Sequence, residues 1–283
     1  MNCEQNKHVF GKLTGPITLV RGAGEQASGV GWALAKAGFR VVMTEIEHPL
    51  MVRWPVCFGT AVEEGQWMVE GLTSHLVSSP EACTNHWEKG EIPILIDPEL
   101  HYLRLFEPVV LIDAILAKRN LGTHHLMAPL TIGLGPGFMA GEDVHFVIET
   151  NRGHNLGRII TAGPAEPNTG IPGNIAGFSH ERVIYSSQSG IFRAERKIGE
   201  KISAGDCLGF IDESTMPVLA PISGILRGLL RSGIYVDKQT KLGDIDPRGK
   251  TEYCWTISDK ARAIGASVVL CVLNGLEVGS NLC

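Results

Sequence analysis

Residues 17–46, ITLVRGAGEQASGVGWALAKAGFRVVMTEI, constrain this chain more than any other stretch. Four apolar residues, 17–20, read as a strand, and Gly22, Ala23 and Gly24 break it. Residues 25–36 suit a helix that closes at Gly38, and 40–44 read as a second strand ending at Glu45. Strand, glycine turn, helix and strand in about 30 residues make a parallel crossover unit. Gly22 permits the tight turn, Gly24 lets a backbone approach a phosphate, and Ala27 holds the third small position, where helix meets strand. Free amides and the positive dipole end at the helix start favour an anion there. Glu45 lies 23 residues after Gly22, near the place where an acid meets a ribose in dinucleotide-binding units. Arg21 and Ser28 flank the turn. With Gly22, Ala23, Gly24 and Glu45 they are candidate ligand-binding residues. The plainer alternative is a core of the same type that binds nothing.

Further short apolar runs at 92–96, 109–112, 130–134 and 146–148 each end in Gly, Pro or a polar residue, as buried parallel strands do. Residues 114–120 suit a short helix, whereas 50–90 suit strands and loops. Ligands of open parallel sheets bind beyond the carboxyl ends of the strands. That rule gathers Asp113, Gly135, Gly137 and Glu149 on the rim of the 22–24 turn. The run GLGPGFMAGED (133–143) holds four glycines in 11 residues, so Gly135 and Gly137 join the ligand-binding candidates; a purely structural set of turns is the other reading. In ETNRGHNLGR (149–158), arginines suit planar oxyanions and His154 suits proton transfer near neutral pH. Arg152, His154 and Asp113 are the candidate catalytic residues, placed at a rim between two domains. A polar interdomain loop would look the same. The histidines show no metal-ligand spacing, and no metal is expected.

From about 174 onward glycines punctuate β-rich runs. SGIFRAERKIGEKISAGDCLGFI (189–211) and SGILRGLLRSGIYVDKQTKLGDI (223–245) form an approximate repeat. With the APISG element at 220–224 it resembles the barrel-sandwich hybrid of biotinyl and lipoyl carriers. The hairpin at 212–217, DESTMP, lacks the lysine that would carry a prosthetic group, so no covalent biotin or lipoate is expected. Asp244, Asp246 and Arg248 close that segment. A helix over 259–273 follows, capped by Ser258 and stopped at 274–275. The expected class is α/β: a Rossmann-like parallel-sheet domain, a β-rich barrel-sandwich-hybrid-like domain and a C-terminal helix. The expected divisions are 1–16 (extension), 17–150 (sheet domain), 151–180 (Gly/Pro-rich linker), 181–250 (β domain) and 251–283 (helical segment).

A hydrophobic share of 44% supports a real core, and a net charge of −5 argues against nucleic acid and anionic membranes as partners. No apolar run is long enough to span a bilayer and the first residues lack a signal-like apolar stretch, so a cytoplasmic protein is expected. The seven cysteines show no CxxC pair, which leaves one of them open as a sulfur- or selenium-handling thiol.

The segments RGAGEQASGVGWALAKAGFRVVMTEIEHP, LIDAILAKRNLGT, GLGPGFMAGEDVHFVIETNRGHNLGR, PNTGIPG and KLGDIDPR together resemble the accessory-protein family of the selenium-dependent molybdenum hydroxylase system. The resemblance spans nearly the whole chain and departs from it mildly at Glu25 and Trp54. It implies maturation of molybdenum hydroxylases, with an apo molybdenum hydroxylase as partner. It leaves the mechanism, and whether any reaction is catalysed, open. The turn itself suits a small phosphate-bearing ligand: NAD(P), another nucleotide or molybdenum cofactor. The other function class is an NAD(P)-dependent oxidoreductase acting on a small molecule, disfavoured because no YxxxK pair stands near a strand end. Assembly into a homo-oligomer is left open.

Overall fold

A computed structural model describes residues 11–212 and 216–280. Cys3, Cys283 and the core of the lysine-free hairpin, 213–215, lie outside the described residues. The chain forms two compact units. One comprises the described residues up to Pro49, Cys57–Asn168 and those from Ile257 onward; the other comprises Leu50–Val56 and Thr169–Thr256.

The first unit is a mixed α/β body around a nine-stranded sheet. Its strands are β1 (Ile17–Arg21), β2 (Arg40–Glu45), β3 (Gln66–Val69), β4 (Leu72–Leu76), β5 (Ile92–Ile96), β6 (Val110–Asp113), β7 (Leu130–Leu134), β9 (Phe146–Ile148) and β10 (Ile159–Ile160), in the order β10-β9-β7-β6-β1-β2-β5-β4-β3. A separate small pair joins β8 (Met139–Ala140) to β11 (Gly163–Pro164). From β9 to β4 every neighbouring pair is parallel, and only the edge strands β10 and β3 run antiparallel. The central strands are apolar on both faces because both faces are covered: Val41 to Met43 and Val110 to Ile112 are fully buried.

The helices are α1 (Glu25–Lys36), α2 (Ala61–Glu64), α3 (Cys83–Glu88), α4 (Leu103–Phe106) and α5 (Asp259–Ser280). Small residues let α1 and α5 meet closely. A Cβ on Gly29 would stand 2.7 Å from the Ala261 carbonyl oxygen, and one on Gly265 would stand 2.6 Å from the Gly29 carbonyl oxygen. Ala261, Ile264, Val268, Cys271 and Val272 of α5 are buried. Gly275 does not stop α5, which continues to Ser280; a Cβ there would lie 2.8 Å from Leu130, so this glycine serves packing. The helix expected at 114–120 is absent. Leu116 (φ +60°) and Lys118 (φ +61°) turn left-handed there, and the segment runs as a loop. Residues 151–168 pack into this unit rather than forming a separate linker. Among the described residues no helix is long and apolar enough to cross a membrane.

The second unit contains β12 (Val183–Tyr185), β13 (Gly190–Ala194), β14 (Lys201–Ile202), β15 (Cys207–Ile211), β16 (Pro217–Leu219), β17 (Gly224–Leu229), β18 (Ile234–Val236) and β19 (Lys241–Asp246). They form two four-stranded sheets, β12-β19-β17-β14 and β16-β15-β13-β18. Exchanging each strand for the one four places away in the series turns one order into the other. Phe192, Leu208, Leu226, Leu242 and Ile245 lie in the apolar cluster of this unit. Residues 50–56 join it because the Leu229 N–H donates to the Val52 carbonyl (2.9 Å) and Arg53 Nη2 to the Tyr253 carbonyl (2.7 Å).

Candidate functional site at the carboxyl ends of the sheet

Five parallel strands, β1, β2, β5, β6 and β7, deliver their last residues to one rim of the first unit. Gly22 turns the chain out of β1 at φ +98°, and its N–H donates to the Thr44 carbonyl at 2.8 Å. A Cβ there would press on Ala114 at 3.2 Å, so Gly22 is required by the protein itself. Gly24 differs. It is the N-cap of α1 at φ −71°, a conformation open to any residue, and a Cβ would meet nothing within 4 Å. The first intrahelical bond runs from the Ser28 N–H to the Gly24 carbonyl (2.8 Å), so the preceding amides have no partner within the helix.

Glu45 is committed to this turn. One carboxylate oxygen accepts from the Ala23 N–H (2.8 Å) and the other from the Ile46 N–H (2.9 Å). Burial pushes its carboxyl above the ordinary range, although both backbone bonds oppose that shift. Its place beside the turn fits the spacing; the bond to Ala23 makes it a brace of the turn as well. Ile46, Ile96 and Ile115 are exposed on the same rim. Ile96 pairs in register with Glu45, and the Cα of Ile115 lies 3.3 Å from the Cβ position of Gly22.

Several sequence candidates have other tasks. Arg21 is buried: Nε (3.2 Å) and Nη2 (2.9 Å) donate to the Pro98 carbonyl, and Nη1 donates to the Leu121 carbonyl (3.1 Å), Thr123 Oγ1 (3.1 Å) and Asp113 (3.4 Å). Asp113 is the register partner of Arg21 and also accepts from the Thr123 hydroxyl (2.6 Å) and the Ile115 N–H (3.2 Å). The pair is a buried clamp tying three strand ends to the 114–123 loop, not an anion site with a proton-transfer group. Ser28 is fully buried, donates to the Ala23 carbonyl (3.0 Å) and accepts from the Phe58 N–H (2.7 Å), so it faces no ligand. Gly135 and Gly137 make room for the protein's own atoms. A Cβ on Gly137 (φ +114°) would lie 2.6 Å from the Arg119 nitrogen, and one on Gly135 would collide with the Thr150 hydroxyl. Arg152 forms a two-pronged ion pair with Asp259 (2.6 and 2.8 Å), which occupies the guanidinium expected to meet an oxyanion. His154 is exposed in the next turn, beside a shallow hollow that it lines with Asn155 and Arg158. Glu149 is buried and accepts from the Asn151 and Glu166 N–H groups (2.6 and 2.7 Å), which shapes the 149–166 loop.

In the second unit the DID segment is also tied into ion pairs. Asp244 meets Arg182 at 3.1 Å, both buried. Asp246 accepts from Arg248 Nε (2.9 Å) and Nη2 (2.6 Å). Burial alone would raise the Asp246 carboxyl, but the Arg248 bonds and the charges of Arg248 and Arg227 bring it below its usual value. The cysteines Cys57, Cys83, Cys254 and Cys271 are buried, and burial pushes the thiols of Cys83 and Cys271 up to about 12. Thiols so protonated are poor nucleophiles. The sequence reading missed one cluster altogether: His75, His86 and Glu91, separated by 11 and 5 positions, come together within the distances of metal ligands.

No family model matches this chain. It is 48% identical over 253 residues to an uncharacterized protein, YqeB, of Escherichia coli strain K12; the match covers 89% of this chain and 46% of that protein. The chain therefore spans about half the length of that relative. Solved structures similar to it are a succinylglutamate desuccinylase/aspartoacylase from Rhodobacter sphaeroides (12% identity, TM-score 0.26, covering 82% of this chain and 85% of that one) and an aspartoacylase family protein from Mesorhizobium loti (11%, 0.25, 83% and 86%). A third is the ectoine utilization protein EutE from Ruegeria pomeroyi (12%, 0.25, 82% and 85%). Likenesses this faint carry no hydrolase chemistry to the chain. The motif resemblance is corrected on the names found: none of these proteins is named as a molybdenum hydroxylase accessory protein or as an NAD(P) oxidoreductase. Maturation of selenium-dependent molybdenum hydroxylases and nicotinamide redox chemistry are both withdrawn as readings of this protein.

Proposed function

We propose that the first unit is a binding domain for a small phosphate-bearing ligand, held at the turn of Gly22, Ala23 and Gly24. The observation that carries this reading is Gly24. Nothing in the fold requires glycine there, yet the space beside it is open and it caps the start of a twelve-residue helix, the end whose dipole favours an anion. Ile46, Ile96 and Ile115 supply apolar surface for a flat ring next to the anion. The sheet order supports a doubly wound, Rossmann-like arrangement, because β5-β2-β1 and β6-β7-β9 diverge from adjacent central strands and leave a crevice above them. Its main departure from that pattern is that no α-helix connects β6 to β7 or β7 to β9. The second unit is read as a barrel-sandwich hybrid, supported by the exchange relation between its two strand orders.

Calorimetric titration of the full chain with inorganic pyrophosphate, AMP and ADP tests the ligand reading. At least one organic phosphate is expected to bind. Gly24→Val should weaken it tenfold or more while lowering the melting temperature by no more than the few degrees a poorer N-cap costs, since the side chain enters empty space. Failure of all three probes to bind, or equal affinity in the variant, refutes the assignment.

A further inference from the structure

We propose that His75, His86 and Glu91 form a binding site for a first-row divalent cation, with zinc the best-suited ion. The three come from neighbouring pieces of the first unit. His75 lies on β4, in register with Pro93 of β5. His86 lies in the last turn of α3, whose Trp87 is buried and donates its indole N–H to the Val41 carbonyl at 2.7 Å. Glu91 stands just before β5, and its N–H donates to the His86 carbonyl at 2.9 Å. Sheet and anchored helix thus fix all three backbones, as a metal site demands.

Glu91 Oε2 lies 2.8 Å from His86 Nδ1 and 3.2 Å from His75 Nε2. The imidazoles stack with ring centres 4.6 Å apart and planes 28° apart. All three donor atoms lie within 4.8 Å of one another. Ligands bound at about 2.0–2.2 Å around a tetrahedral zinc stand roughly 3.3–3.5 Å apart. Side-chain adjustments on the order of an ångström would therefore admit the ion. One feature distinguishes the cluster from a surface ion pair. His75 Nε2 is buried and makes no hydrogen bond of acceptable geometry, although it faces the Glu91 carboxylate. A buried ring nitrogen aimed at a carboxylate in such a cluster is placed as a ligand is.

The donor set selects the ion class. Two imidazoles and one carboxylate suit zinc and its first-row neighbours, whereas magnesium and calcium seek oxygen. The three side chains are each about one-fifth exposed (20%, 18% and 23%), so water can reach a fourth position. The cluster sits where β5 begins, and Ile96, at the far end of the same strand, pairs with Glu45 beside the glycine turn. The two sites are thus at opposite ends of β5, and a test of one is independent of the other.

The full chain, stripped with a chelator and dialysed, is titrated with Zn2+ and melted with and without it. Co2+ serves as an optical probe, and Mg2+ and Ca2+ as oxygen-seeking controls. Wild type is expected to take up one equivalent of Zn2+ that the double variant His75→Ala/His86→Ala does not, and to melt higher with Zn2+ present. Glu91→Gln should weaken binding tenfold or more, and Co2+ should give the absorption of a four- or five-coordinate nitrogen-ligated site. If the double variant unfolds, His86→Gln, which keeps a polar side chain in the last turn of α3, takes its place. Absence of zinc uptake by wild type, equal uptake by the variants, or Mg2+ binding as tight as Zn2+ overturns the proposal.

Discussion

Glycines that look alike in the sequence do opposite things here. Gly24 has open space and an ordinary backbone conformation; Gly137 has φ +114° and the Arg119 backbone where its Cβ would be. Gly24→Ala should cost only about 0.5–1 kcal/mol, because alanine caps a helix start less well than glycine and meets no other obstacle. Gly137→Ala should cost about 1–3 kcal/mol in backbone strain and crowding. Urea titrations of the two variants measure the contrast. Glu45 gives a prediction in pH. Its folded carboxyl is held above the ordinary range, so the folded protein binds that proton more tightly than the unfolded chain does. Its contribution to stability is therefore greatest below the unfolded value of about 4.3 and declines as pH rises through the raised folded one. The unfolding free energy of wild type relative to Glu45→Gln should fall over that window, and a flat difference would show that burial leaves the group unperturbed. What hid the roles of Arg21, Asp113 and Ser28 is distance along the chain. The Leu121 and Thr123 partners of Arg21 lie 100 and 102 positions away, and the Phe58 partner of Ser28 lies 30 away. A string of residues gives types and spacings, and occupancy of a polar group depends on who arrives beside it.

At the scale of elements, the segment at 17–46 was legible because its signals agree: a β-branched run, a glycine turn, a helix with small residues on one side, and a second apolar run. The segment AILAKRN at 114–120 carried helix formers and yielded a loop. Its end must place the Leu121 carbonyl and the Thr123 hydroxyl on Arg21, and a continuous helix would carry them elsewhere. Asn274 and Gly275 have the composition of a helix stop but lie mid-helix, because Leu130 occupies the space a side chain would need. The same logic governs the contact of α1 with α5. By intrinsic preference Gly265→Ala should stabilise α5 by up to about 1 kcal/mol. The Gly29 carbonyl oxygen at 2.6 Å from the new Cβ reverses that sign, and a lower melting temperature is expected. A higher one would mean that the helices separate without cost.

The whole molecule is not laid out in the order of its sequence. The first unit draws on three separate stretches, and α5 belongs to it although 88 residues of the second unit, 169–256, intervene. A chain ending at Thr256 should therefore lose more than a tail: hydrogen-exchange protection of β1, β2 and β6 is expected to collapse, and its persistence would make α5 dispensable. This arrangement also bears on how the protein is made. The nine-stranded sheet leaves the ribosome early, while the helix that covers α1 follows Asn168 by on the order of ten seconds at ordinary elongation rates. Throughout that interval the glycine-lined flank of α1 stands uncovered on every nascent chain, a surface that crowded polysomes can join to the wrong neighbour before its own helix arrives.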